Sequence, residues 1–192
     1  MAIGPNATSV DQGAIALGTN SNANGNAAAA LGVNSKAEGI QATAVGSQAN
    51  ATASAQSAVA VGTQSVADKQ FAVAVGMGAQ ATLENSVALG SESTVTAATP
   101  TSNATVGGIT YTGFAGANEN TNYVVSVGSA GKERQIQNVA AGRITSDSTD
   151  AINGSQLYAV ADKLVKTGFN ITADNSGLDA GAKEDNVRGC PR

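Results

Sequence analysis

The chain has 192 residues, a formal net charge of −4 and only 12% charged residues, with no histidine, no tryptophan and one cysteine. Its apolar share is 42% but aromatics are 3%, so a lone chain has few large side chains with which to offset chain entropy. That balance excludes histidine-based catalysis, imidazole metal sites and a disulfide scaffold, and the lack of a basic patch argues against nucleic acid.

Residues 1–95 are organised by a recurring phrase. It reads Ile15-Ala16-Leu17-Gly18, Ala29-Ala30-Leu31-Gly32, Thr43-Ala44-Val45-Gly46, Val59-Ala60-Val61-Gly62, Val73-Ala74-Val75-Gly76 and Val87-Ala88-Leu89-Gly90, after a shorter echo at Ala2-Ile3-Gly4. The step is 14 residues except for 16 between Gly46 and Gly62. Such a period is too short for a helical hairpin repeat and suits one flattened coil of two parallel strands and two turns. The second strand is the small motif three residues past each glycine, as in Ser21-Asn22-Ala23 and Ser65-Val66-Ala67. The longer step is expected to be absorbed as a bulge over Ala53 to Gln56. Period 2 puts Val59 and Val61 on one face and Ala60 on the other, and both faces are apolar or small. A strand apolar on both sides is covered on both sides. The expectation is alanine inside the coil and Val, Leu and Ile against other copies of the same chain, with the reverse assignment also open.

Residues 96–123 break the pattern and read as an insertion. Thr99 to Asn103 is loop-like, Gly107-Gly108 is a turn signal and Ile109 to Phe114 reads as a strand. Tyr111, Phe114 and Tyr123 are expected either to form a small packing cluster or to offer a ligand surface. Val124-Val125-Ser126-Val127-Gly128 then restates the phrase as a final coil over 124–130. Residues 131–156 alternate charges and amides with aliphatics. Asn153, Leu157, Val160, Leu164 and Thr167 step by a heptad seam, which predicts a short coiled-coil helix ending at Gly168, with Asp150 and Ser148 as candidate caps. Residues 168–192 read as a cut-off further element, opened by Phe169-Asn170-Ile171-Thr172-Ala173, or as a polar tail; Cys190 there matches nothing upstream. No apolar run approaches 18 residues, so no membrane-spanning helix is expected, and the chain reads as a piece of a longer protein.

The repeat ending in Ala-Ile/Leu/Val-Gly and followed by Ser-x-Ala resembles the head repeat of YadA-like trimeric autotransporter adhesins. Arg134 to Gly142, with Thr149 to Leu157, resembles that family's neck motif. The resemblance implies a mainly β fold: a left-handed parallel β-roll head of 14-residue coils forming a homotrimer, a neck over 131–156, and a trimeric coiled coil beginning over 157–167. It also implies the outer surface of a Gram-negative cell, with an outer-membrane anchor beyond this piece. Arg134, Asn138, Asp150, Asn153 and Gln156 lie where three chains are expected to cross, and Leu157, Val160 and Leu164 where they coil. Backbone groups leaving regular ladders need partners there. Arg134 and Asp150 are expected to pair, within the chain or between chains, against the alternative of a solvated surface.

Chemistry is sparse. Gly128 to Glu133 lacks the spacing of a phosphate loop, and Asp147, Asp150 and Glu184-Asp185 lack that of a calcium loop. No enzyme, cofactor or metal is expected. Adhesion to host matrix proteins or cell-surface receptors, with self-association as a further role, is the leading function. The alternative is a spacer in the adhesin fibre with no ligand of its own.

Overall fold

The structure is a computed structural model that describes residues 1–167. The expectations for residues 168–192, Gly168 and Cys190 included, lie outside the described residues.

Each phrase of the repeat is a strand of one parallel sheet. Its order is β1 (Ala2–Ile3), β3 (Ile15–Leu17), β5 (Ala29–Leu31), β7 (Thr43–Val45), β9 (Val59–Val61), β11 (Val73–Val75), β13 (Val87–Leu89) and β16 (Val125–Ser126). The small motifs form the second sheet: β2 (Thr8–Ser9), β4 (Asn22–Ala23), β6 (Lys36–Ala37), β8 (Asn50–Ala51), β10 (Val66–Ala67) and β12 (Gln80–Ala81). Like residues stack on like residues: Ala44 on Ala60, Ala60 on Ala74, Ala74 on Ala88. The 16-residue step leaves this register untouched. Thr43 still faces Val59 and Asn50 still faces Val66, because the two extra residues form a turn that opens at Ala53, where Ala55 N donates to Thr52 O at 3.0 Å.

The interior is made of methyl groups. Among the described residues the buried apolar set is nineteen alanines and Val95, and the buried polar set is five serines. The serines are satisfied locally: Ser21, Ser35 and Ser65 donate to Gly18 O, Gly32 O and Gly62 O at 2.8, 2.9 and 2.9 Å. Alanine therefore lies inside and the aliphatic side chains of the first sheet point away from the coil. Val59, Val61, Val73 and Val75 are half-buried, because each is covered only by its stacked neighbours.

Coils this thin turn sharply. The residue two past the phrase's glycine holds a left-handed conformation, as at Asn20 (φ 56°) and Gln48 (φ 60°), and the opposite corner repeats it, as at Gln41 (φ 57°) and Phe71 (φ 59°). Asparagine tolerates that region better than most residues. Stacked corner amides also bond one another, Asn6 to Asn20 at 3.1 Å and Asn20 to Asn34 at 3.2 Å.

Val125 and Ser126 pair with Val87 and Ala88, so the phrase at 124–128 is the final coil and 96–123 is an insertion within the stack. The insertion carries an antiparallel hairpin, β14 (Asn103–Val106) and β15 (Ile109–Thr112), turned at Gly107-Gly108. Asn103 belongs to a strand, not to a loop: Asn-Ala-Thr-Val has weak strand character of its own and takes it from pairing with Thr112 to Ile109. Tyr111, Phe114 and Tyr123 are all exposed, so no packing cluster forms within this chain. The hairpin tip has open space around it, with nothing within 4 Å of a Cβ built at Gly107 or Gly108.

Gly62 combines φ +129° with a close layer, so an added Cβ would lie 2.5 Å from Gly76 O. Gly62→Ala is expected to cost about 3 kcal/mol or more, from backbone strain and from separated coils. Gly107→Ala, which has only the positive φ, is expected to cost about 1 kcal/mol. Denaturant melts of the two variants check the difference.

Candidate functional site

In the body of the stack, the carbonyl one residue past each glycine accepts an amide from the next coil. Gln64 N donates to Ser47 O at 2.9 Å and Glu92 N to Met77 O at 2.7 Å. The next carbonyl in that column, Ser91 O, instead receives Arg134 Nη2 at 2.7 Å. Arg134 Nη1 donates to Val127 O at 2.6 Å and to Ser93 Oγ at 3.2 Å. A Cβ on Gly76 would meet the backbone of Gly90, whereas a Cβ on Gly90 would meet Arg134 Cζ at 3.2 Å. The guanidinium thus stands where another coil would stack, and its planar fork of donors suits several carbonyls at once. Beside it Lys132 pairs with Glu92, and this bond holds the Glu92 carboxyl below the usual carboxylate range.

The expected Arg134–Asp150 pair does not form within the chain. Asp150 is held by Arg143, with Nε at 2.8 Å, Nη2 at 3.3 Å and the Arg143 amide at 3.1 Å. Arg134 is committed to the end of the stack, and Arg143 stands across the short turn at Thr145 to Asp147 from Asp150. The Arg143 side chain first, and then its amide, keep the Asp150 carboxyl below its ordinary range. Asn138 makes a bend with φ 60°.

Residues 140–142 and 151–167 form a separate compact unit. Its helix α1 spans Gly154–Thr167, three residues earlier than the expected stalk start. The cap is Asn153, not Asp150 or Ser148. Its Oδ1 accepts from Gln156 N at 3.3 Å and from Ser155 Oγ at 2.8 Å, while Gln156 Oε1 accepts from Asn153 N at 3.3 Å. This reciprocal arrangement is a capping box. Gln156 also clamps Gly142, accepting from its N at 2.9 Å and donating to its O at 2.6 Å. Leu157, Val160 and Leu164 follow at seam spacing and are exposed in this chain. A 14-residue helix with its apolar seam uncovered is marginal in water.

The structure therefore joins Asn153 to Gln156 and gives Arg134 and Asp150 different partners. Sequence reasoning missed Arg143 and Gly142. The Asn-x-x-Gln spacing of the capping box was a readable signal; the seven-residue reach from Arg143 to Asp150 was not, since only the folded turn closes it. Among the described residues no three His, Cys, Asp or Glu side chains gather as metal ligands. An open groove of about 530 Å³ runs beside the final coil, lined by Thr94, Val125, Val127, Glu133 and Arg134 among others. Its one cation is already bonded to carbonyls.

Arg134→Ala leaves Ser91 O and Val127 O without those donors and is expected to cost about 1–3 kcal/mol in chemical melts. Asp150 has a folded pKa below its ordinary 3.8, so its contribution is present above pH 3.8 and is lost as pH falls through the lower folded value. Asp150→Asn is expected to lower Tm at pH 7, with the gap to the native chain closing below pH 3.8.

The head-repeat model of the YadA family, "YadA head domain repeat", matches six overlapping segments over residues 1–93. The model "Coiled stalk of trimeric autotransporter adhesin" matches residues 135–180. The chain is 40% identical over 88 residues to autotransporter adhesin BtaE of Brucella suis, a stretch covering 46% of this chain and 11% of that protein. It is 62% identical over 34 residues to autotransporter adhesin EhaG of Escherichia coli O157:H7, covering 18% of this chain and 2% of that protein. The chain thus spans about a tenth or less of these relatives. In fold it is similar to the collagen-binding domain of the Yersinia adhesin YadA, with a TM-score of 0.50, 24% identity, and coverage of 78% of this chain and 83% of the other. Two family models in head-then-stalk order, a β-solenoid of glycine-ended coils and the helix that follows identify the chain as a member of the YadA-like trimeric autotransporter adhesins.

Proposed function

We propose that this chain is the head, neck and stalk origin of a bacterial surface adhesin that works as a homotrimer and attaches to host extracellular matrix or to a host cell surface. One observation carries the reading: the aliphatic row of the first sheet has no cover in its own chain. Ile15, Leu17, Leu89 and Val125 are exposed, and Val59, Val61, Val73 and Val75 are only half-buried. Burying an aliphatic side chain fully contributes about 1.5–3 kcal/mol, so a row of them on a regular face favours association with matching faces. Three copies present three identical outer surfaces, and weak contacts then add through avidity.

The outward side of the second sheet is the surface such a trimer offers. It is flat and mixed, with Thr8, Asn22, Lys36, Asn50, Val66 and Gln80 in one register. A flat surface of small side chains suits a broad, extended partner better than a compact ligand. Among matrix proteins, collagen is the first to test, since the collagen-binding domain of the Yersinia adhesin YadA has a similar fold. The reading includes a location on the outer face of the cell, held by an outer-membrane anchor carried elsewhere in the fibre. The spacer reading draws on the uniformity of the coils, whose strand register and alanine interior repeat from layer to layer.

Solid-phase binding of the purified chain to collagen, fibronectin and laminin tests the proposal. Saturable binding to at least one is expected, reduced ten-fold or more by Val73→Asp, which puts a charge on the aliphatic row. Absence of binding to all three and to host cells would favour the spacer.

A further inference from the structure

Residues 113–122 carry the chain from the hairpin back toward the final coil, and two glycines there hold left-handed backbone, Gly113 at φ +79° and Gly116 at φ +72°. Their surroundings differ. A Cβ added to Gly113 would meet nothing within 4 Å, whereas one added to Gly116 would lie 2.8 Å from Thr149 Cγ2 and 3.8 Å from Thr149 Cβ. Thr149 lies far along the chain, in the neck loop over 143–150, and that loop belongs to the same compact unit as the head and its insertion. Both sides of this meeting are held by their own bonds. On the insertion side, Asn118 Oδ1 accepts from Asn120 N at 2.9 Å and Asn120 Oδ1 from Asn122 N at 3.0 Å, two successive side-chain turns, and Thr121 O accepts from Ala98 N at 2.8 Å. On the neck side, Arg143 holds Asp150 through its Nε and its amide. Within that span Thr145 Oγ1 donates to Asp147 Oδ1 at 2.6 Å, Ser148 N to Thr145 O at 3.2 Å and Asp150 N to Ser148 Oγ at 3.2 Å.

We propose that the return segment of the insertion is a strap that braces the 143–150 loop of the neck, with Gly116 as the seat for Thr149. The contact lies within one chain, so it is independent of the trimeric and adhesive readings above. Glycine is needed at 116 for two separate reasons, backbone and space, and at 113 for the first alone. Neither segment yields cheaply to a side chain at position 116, because each is closed by hydrogen bonds that a shift would break. The braced loop carries the Arg143–Asp150 pair, so the insertion has a task in ordering the neck.

Amide hydrogen exchange of the full chain, read by peptide mass spectrometry over residues 143–150, tests the strap. Gly116→Ala is expected to raise exchange there several-fold, because its methyl group displaces Thr149. Gly113→Ala brings a like backbone strain into open space and is expected to leave 143–150 unchanged. Thr149→Ala removes Cγ2 and leaves a Cβ at ordinary contact distance. The double variant Gly116→Ala with Thr149→Ala is therefore expected to exchange over 143–150 as Thr149→Ala alone does. Equal exchange over 143–150 in the native chain and in Gly116→Ala would overturn the proposal. So would a rise of the same size in Gly113→Ala, or a rise in Gly116→Ala that Thr149→Ala fails to relieve.

Discussion

The spacing between successive coils governs this molecule. Neighbouring parallel strands sit roughly 4.8 Å apart, and at that distance the turn glycines lie backbone on backbone. A Cβ on Gly18 or Gly32 would fall 2.6 and 2.4 Å from the carbonyl oxygen of the next glycine in the column. Between its two sheets each coil encloses little besides methyl groups and serines that bond the carbonyls beside them. An interior of this kind is dense and regular but poor in apolar area. Stability then depends on neighbour-to-neighbour contacts along the stack and on whatever covers its outer faces.

Three features of the chain answer that dependence in different ways. Aliphatic residues are pushed to the outside of the first sheet because the inside admits nothing larger than alanine there. The far end of the stack cannot simply stop, since its last carbonyls would face no further coil, and the Arg134 guanidinium supplies donors to them. Beyond it, Gln156 ties Gly142 to the start of a helix whose seam residues are also uncovered. Sheet, hairpin and helix each leave an apolar face open within a single chain.

Much of this was legible in the sequence because a period carries its own check. The strands, the alanine interior, the bulge after Ala53 and the return of the phrase at Val124 all follow from where Gly and Ala recur. The helix that carries Leu157, Val160 and Leu164 was legible for the same reason. Legibility ended where contacts depend on folded proximity. Arg134 and Asp150 are complementary charges in one motif, yet within one chain each has a different partner, set by the stack end and by the Thr145 to Asp147 turn. Asn103 to Val106 has too little intrinsic strand preference to be read without its partner strand. Asn153 fitted the heptad by spacing, but its side chain turns back to cap the helix. The aromatic residues of the insertion were read as a cluster or a contact surface; all three are exposed in the single chain.

The central claim is that strands apolar on the outside of an alanine-filled coil are covered by copies of the same chain. Light scattering coupled to size-exclusion chromatography measures this most directly. The account predicts a single species of three times the 18.7 kDa chain mass, persisting on dilution to the micromolar range. A well-folded, β-rich species of 18.7 kDa at those concentrations would contradict it.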